Sequence, residues 1–352
     1  MDPMSVSVPR TTNKFISTKL GRWTIGLLGA FAVIATVLAI VLFTSGDNGT
    51  PPSGVLPIME LIPVSQAQAL RDIYEATNGP FWASYVHNWM TPGVTPCRWT
   101  GVYCENGVVI GLDLSRYDVQ GTLPASIGNL VNLTRLQLSS NNIAGTLPES
   151  LSKMRDLQEL LLANNDFEGT IPEGLFTSLP NLHVVDLSIN RLTGSITPSI
   201  SNHTTLFELN LSRNKLTGTV PDMPHLAFKI LDLSYNRIEG PLPQLHMFVE
   251  SINVEGNRMS GGVDSLVSFL PFLHTLKVGG NMFDGILMVS EFQLLTTMKS
   301  FNISHNNFTM FSLSSDTNKT PQFNLCDASD VPFKCPVPNW LIARCRATCV
   351  KA

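Results

Sequence analysis

Between Cys104 and Cys326 the chain has no cysteine, and charged residues make up only 14% of its 352 positions. The six cysteines fall at the two ends of that gap. Cys97 and Cys104 precede it; Cys326, Cys335, Cys345 and Cys349 follow it. Such a distribution fits an oxidising compartment in which disulfides close the ends of a segment and leave its middle to other forces. Cys345 and Cys349 have a spacing that a zinc site permits, but no histidine lies near either set to strengthen a metal reading. Basic residues are in deficit as well, with 23 Lys and Arg against 27 Asp and Glu, so the electrostatic footprint of a nucleic-acid binder is missing. Catalytic motifs are also missing. The seven histidines, His87, His183, His203, His225, His246, His274 and His305, are scattered, and none stands with a serine or cysteine in a nucleophile motif. Asp186 and Asp232 share one column two copies apart, which follows from a recurring Asp-Leu-Ser phrase and not from a paired-carboxylate site. The expectation is a protein without enzymatic activity, cofactor or metal.

What fills the cysteine-free middle is one phrase, LxxLxLxxNxLxGxIP, restarted roughly every 24 residues, a period that marks a solenoid. Ten copies open at Val109, Leu133, Leu157, Leu182, Leu206, Phe228, Val249, Leu273, Met298 and, in degraded form, Phe323. In Leu206 to Asn214 the alternation places Leu206, Leu209 and Leu211 inward and Phe207, Glu208, Asn210 and Ser212 outward, one short strand per copy. No copy can bury its apolar face alone; stacking supplies roughly 1.5–3 kcal/mol per buried apolar side chain. The recurrent asparagines, Asn141, Asn165, Asn190, Asn214, Asn236, Asn257, Asn281 and Asn306, stand where the chain leaves each strand, and an amide that donates and accepts can satisfy buried backbone groups there. The glycines that follow, from Gly121 to Gly285, suit a tight bend. The fifth and sixth copies are shortened to 22 and 21 residues, which predicts trimming on the side away from the strands. The ninth carries Met310 where glycine belongs, and the polar run from Ser312 to Lys319 predicts a loop.

These residues carry a resemblance. The consensus is similar to the plant-type extracellular leucine-rich repeat of plant receptor ectodomains, polygalacturonase-inhibiting proteins and trypanosomatid surface antigens. The segments ALRDIYEATNGPFW (Ala69 to Trp82) and PCRWTGVYC (Pro96 to Cys104) resemble that family's amino-terminal cap. The resemblance implies an α/β repeat fold: a leucine-rich-repeat solenoid with a parallel concave sheet, an irregular or 3-10 convex side and disulfide-stapled caps. It implies a bond between Cys97 and Cys104; the four later cysteines allow three connectivities, and the sequence does not choose among them.

Ahead of the repeats, Trp23 to Ser45 is apolar and uncharged over a length that spans a bilayer as a helix. Arg10, Lys14, Lys19 and Arg22 against Asp2 place the amino terminus in the cytoplasm. The expected organisation is a cytoplasmic tail (1–22), a signal-anchor helix (23–45), a linker (46–63), an amino-terminal cap (64–108), repeats (109–322) and a degraded repeat with a cysteine-rich cap (323–352). No apolar stretch follows the last cap, so neither a second span nor a lipid-anchor signal is expected there. Removing the tail's four basic residues and one acidic residue leaves 19 against 26, a net of −7 outside the cell. A cleaved signal peptide, giving a secreted protein, is the alternative. Sequons at Asn48, Asn132, Asn202, Asn210, Asn302, Asn307 and Asn318 fit exposure to glycosylation, and sugar on Asn210 or Asn302 would stand on the strand face.

In the family the concave sheet is the usual binding surface. On the third to sixth copies its outward residues include an apolar set, Leu161, Val184, Ile189, Phe207, Ile230 and Tyr235, rimmed by Glu159, Asp186, Glu208, Asp232 and Arg213. The reading is a cell-surface, single-pass recognition or adhesion protein without its own signalling domain. Its partners would be an extracellular protein, peptide or glycan and a possible membrane co-receptor, with no nucleic acid. A secreted enzyme inhibitor and a glycan-bearing coat protein are the alternatives.

Overall fold

The computed structural model describes residues 62–263, 270–289, 298–313, 324–334 and 339–350. The expected membrane helix at 23–45, the tail before it, most of the linker, Cys335, Asn48, Asn318 and Phe323 lie outside the described residues. Among those described, no helix is long and apolar enough to cross a membrane.

The cap opens on a helix, Val64–Ala76, entered from Pro63, that buries Ala69, Leu70 and Ile73 along one stripe. Gln66 on the same stripe joins it to the repeats: its carbonyl accepts from the Val109 amide at 3.0 Å, and its amide donates to Asn132 at 3.2 Å. Behind the helix four aromatic rings pack together. Tyr74 meets Trp82 and Trp89 at centroid distances of 5.2 and 5.9 Å, and Trp89 meets Trp99 at 4.8 Å. A disulfide joins Cys97 to Cys104 beside them.

The repeats build a sheet of 11 strands. Val102–Glu105 pairs antiparallel with Val108–Asp113 and covers the first edge; from there the strands run parallel, each copy contributing three residues beside the next. The register keeps equivalent positions in line. Val185, Leu209, Leu231 and Ile252 form one inward row, all 0–1% exposed. Leu206 and Leu211 are equally buried, as the alternation requires. Ser212 departs from the expectation. It is buried, because its hydroxyl and amide both donate back to the Asn210 side chain, at 2.8 and 3.1 Å.

The asparagine column binds coil to coil. Asn214 accepts from the Leu192 amide of the preceding coil at 2.9 Å and donates to the carbonyls of Leu187 and Leu211 at 2.9 and 3.1 Å; Asn141, Asn190, Asn236 and Asn281 repeat the arrangement. Each of these groups would otherwise be a buried, unpaired backbone polar atom, costing about 1–3 kcal/mol. The glycines after them do two jobs. Gly169 and Gly194 have φ of 76° and 79°, which favours glycine, and a side chain there would also strike the methyl of Thr146 or Thr170 from the coil before, at 2.9 and 2.8 Å.

The return segments vary. Single turns of 3-10 helix occur at Ala125–Asn129, Glu149–Lys153 and Pro198–Asn202, and a short α-helix at Gly174–Thr177. In the shortened fifth and sixth copies an isolated bridge from Met223 to Leu245 takes their place. The ninth copy corrects the expected loop in part: Asn307–Leu313 runs as a strand along Met282–Val289, with Ser312 opposite Met288, and residues 314–319 lie outside the described residues. The final segment holds a disulfide between Cys326 and Cys345, with Cys345 closing the helix Asn339–Cys345. Cys349 begins a short strand paired with Phe333–Lys334.

Candidate ligand-binding face

The long sheet sorts its outward residues into rows. The first holds Arg135, Glu159, Val184, Glu208 and Ile230; the second holds Gln137, Leu161, Asp186, Asn210 and Asp232. Phe207 immediately precedes the first row, 37% exposed with its ring 5.8 Å from that of His183; Ile230 is 38% exposed. Val184 and Ile230 therefore stand on either side of Glu208, with Phe207 next to it along the chain, while Leu161 lies in the second row among polar groups.

Ile189, Arg213 and Tyr235 belong to a third line, beyond the second row, where the chain bends out of the strand. All three have φ of 55°. The same position takes Ser140 and Asn164 in earlier coils and Gly256 and Gly280 in later ones, also at positive φ. Hydrogen bonds on both sides impose the conformation: the Ile189 amide donates to the Ser212 carbonyl at 2.9 Å, and its carbonyl accepts from the Asn165 amide at 3.1 Å. A β-branched residue is costly there, yet Ile189 is 46% exposed and Tyr235 48%. The expected single apolar cluster is thus divided into two lines, Phe207, Val184 and Ile230 around Glu208 and Ile189 and Tyr235 on either side of Arg213, with the row of Asp186, Asn210 and Asp232 between them.

That middle row has a structural task that the sequence reading missed. Asp186 accepts from the Ser188 amide at 3.0 Å, and Asp232 accepts from the Ser234 amide and hydroxyl at 2.9 and 2.7 Å, turning the chain out of each strand. The signal was the recurring Asp-Leu-Ser phrase. The second carboxylate oxygen of Asp232 accepts from Asn253 at 2.9 Å. Glu208 sits beside this row, and its carboxyl is pushed above the usual range, first by burial and then by the negative charges of Asp186 and Glu159. Glu159 itself pairs with Arg135.

The sequons divide by exposure. Asn132, Asn202 and Asn307 are exposed; Asn210 and Asn302 are half-buried. The Asn302 amide nitrogen, the atom a glycan would occupy, donates to the Glu255 carboxylate, whereas that of Asn210 has no protein partner among the described residues. No group of three or more His, Cys, Asp and Glu able to hold a metal occurs among the described residues.

Family profiles match this chain in two parts. The leucine rich repeat N-terminal domain matches residues 64–105, and the leucine rich repeat matches 132–154, 156–178 and 205–225. The chain thus carries a leucine rich repeat N-terminal domain and leucine rich repeats, and these matches are consistent with the plant-type extracellular leucine-rich-repeat family. A solved plant ice-binding protein of this fold is 25% identical with a TM-score of 0.57, covering 77% of the chain and 98% of its own length. A TDR receptor is 26% identical, TM-score 0.57, over 66% of this chain and 41% of that one. The plant peptide hormone receptor RGFR1, solved in complex with RGF2, is 27% identical, TM-score 0.51, over 68% and 44%. A probable leucine-rich repeat receptor-like protein kinase of Arabidopsis thaliana is 42% identical over 60 residues, 14% of this chain and 5% of the kinase. The chain thus spans less than half the length of these two receptors and a small part of the kinase.

Proposed function

We propose that the chain recognises an extracellular peptide or protein segment on the long-sheet face of its third to sixth copies, anchored at the cell surface through residues 23–45. The observation that carries this is the pair of exposed apolar stripes flanking an acidic row. An extended segment crossing the strands could set apolar side chains on Phe207 and Ile230 at one side and on Ile189 and Tyr235 at the other, with a basic residue over Asp186, Glu208 and Asp232. The receptor RGFR1, solved with its peptide RGF2, supports this class of partner.

The test is panning of a random peptide library against intact protein, followed by calorimetry on enriched peptides with Phe207→Ala, Ile230→Ala and Asp232→Asn. Roughly tenfold or greater weakening is expected from each apolar truncation, with folding unchanged. No enrichment over an unrelated solenoid, or equal affinity in the variants, removes the proposal.

The likeness to a plant ice-binding protein raises a second reading. Exposed Thr122, Thr146, Thr170, Ser195 and Thr219 recur once per coil, a regular column of hydroxyls. Charged Asp166, Glu168, Arg191 and Lys215 stand on the same side and hold water strongly, so peptide recognition is favoured.

A further inference from the structure

A second set of residues gathers toward the capped end of the solenoid, before the face just described. Along the first three copies a hollow of about 420 Å³ runs beside the cap, lined by Asn106, Asn132, Asp156, Gln158 and Asn181 among others. It meets a second hollow of about 330 Å³ over the first strands, which adds Tyr103, Asp113 and Arg135; Ile110 and Thr134 line both. Together they form one groove of a size that takes a small-molecule ligand.

We infer that this groove binds a neutral oligosaccharide. Carboxamides line it at Asn106, Asn132, Gln158 and Asn181, and each amide can donate and accept, as sugar hydroxyls do. The side chains of Asn106 and Gln158 are exposed and have no protein partner among the described residues. Tyr103 supplies a flat face for the C–H side of a sugar ring: it lies over Gly111, where an added side-chain carbon would come within 3.3 Å of it, and it is 58% exposed. Charge narrows the class. Glu105, Asp113 and Asp156 are acidic, and Arg135 is already paired with Glu159, so an acidic sugar would be repelled. An apolar peptide anchor would find no deep pocket, since Val108 and Ile110 are half-buried in the groove floor.

The inference also requires that Asn132 carry no glycan, because sugar there would fill the groove. The Asn132 side chain is engaged on both sides, accepting from Gln66 at 3.2 Å and donating to Asp156 at 3.3 Å.

The experiment is calorimetric titration of the full chain with tetramers of β-1,4-linked glucose, β-1,3-linked glucose and β-1,4-linked N-acetylglucosamine. Tetragalacturonate and tetralysine serve as charged controls, and Asn132 occupancy is read by glycopeptide mass spectrometry. Expected results are binding of at least one neutral tetramer and none of the galacturonate. Tyr103→Ala and Gln158→Ala should each weaken that binding roughly tenfold at unchanged Tm, while Phe207→Ala leaves it intact, which separates this site from the peptide face. Absence of neutral-sugar binding, tighter binding of tetralysine, equal binding in the two groove variants, or an occupied Asn132 overturns the inference.

Discussion

The guanidinium of Arg213 lies over the ring of Tyr235 on the next coil, 4.6 Å from its centroid, and the ring's far edge rests against Gly256 one coil further on. Three successive bend positions are thereby stacked on the solvent side. An exposed contact of this type is worth about 0.5–1 kcal/mol. A double-mutant cycle of Arg213→Ala and Tyr235→Ala, read by urea denaturation, should give a coupling of that size, and both variants should weaken the peptide ligand more than they weaken the fold.

Ile189 carries a strain that Asn164, Gly256 and Gly280 avoid at the same position of other coils. Ile189→Asn should raise the unfolding free energy by about 1 kcal/mol, because asparagine tolerates φ of this sign. The same change should weaken peptide binding. A variant that gains stability and keeps full affinity would show that Ile189 is not part of the contact.

Asn214 holds the strand exits of the fourth and fifth copies together. Asn214→Ala orphans the Leu192 amide and leaves the Leu187 and Leu211 carbonyls with one asparagine donor each, Asn190 and Asn236, and should cost about 1–3 kcal/mol in denaturant titration; Asn202→Ala, at an exposed position, should cost almost nothing.

His203 is buried, its Nε2 3.0 Å from the Leu179 carbonyl and its Nδ1 accepting from the Leu206 amide at 3.3 Å, which fixes a neutral ring. Burial holds its pKa below the ordinary 6.5, outweighing the hydrogen bond to Leu179. The unfolded chain therefore binds the proton more readily than the fold does. Stability should be full above pH 6.5 and decline as pH falls below it. Denaturation midpoints followed from about pH 8 to 5 should show this slope, and His203→Gln should reduce it.

Glu208 has the opposite sign. Its raised pKa means that the fold favours the protonated carboxyl, so ionisation is a penalty at neutral pH that fades as pH drops to the usual 4.5 and below. Glu208→Gln should raise Tm at pH 7 and lose that advantage in acid. It should also reduce affinity for any ligand that sets a basic residue over Asp186.

Much of the architecture was legible because the repeat imposes the same demand at every turn. The inward row Val185, Leu209, Leu231 and Ile252, the asparagine column and the bend glycines follow from periodicity and polar satisfaction, and all three are present. Ser212 was misplaced because strand alternation was carried one residue past the strand end, into a turn governed by the Asn210 side chain. The division of the apolar face has the same origin. Ile189 and Tyr235 were grouped with Phe207 by exposure alone, whereas the left-handed bend carries them to a separate line. The groove beside the cap was not legible at all, since it arises between Tyr103 of the hairpin and side chains from three successive copies. No linear pattern records that meeting.

The coil-to-coil contacts also bear on how such a chain can change length. Asn214 reaches back to Leu192, and Gly194 accommodates Thr170; the same pair of contacts recurs at Asn141 with Gly145 and at Asn165 with Gly169. Excising one unit in phase joins an asparagine to an equivalent leucine amide and a threonine methyl to an equivalent glycine, leaving no orphan at the seam. The number of coils is therefore free to drift by unequal recombination among the copies, whereas a cut out of phase destroys both columns at once.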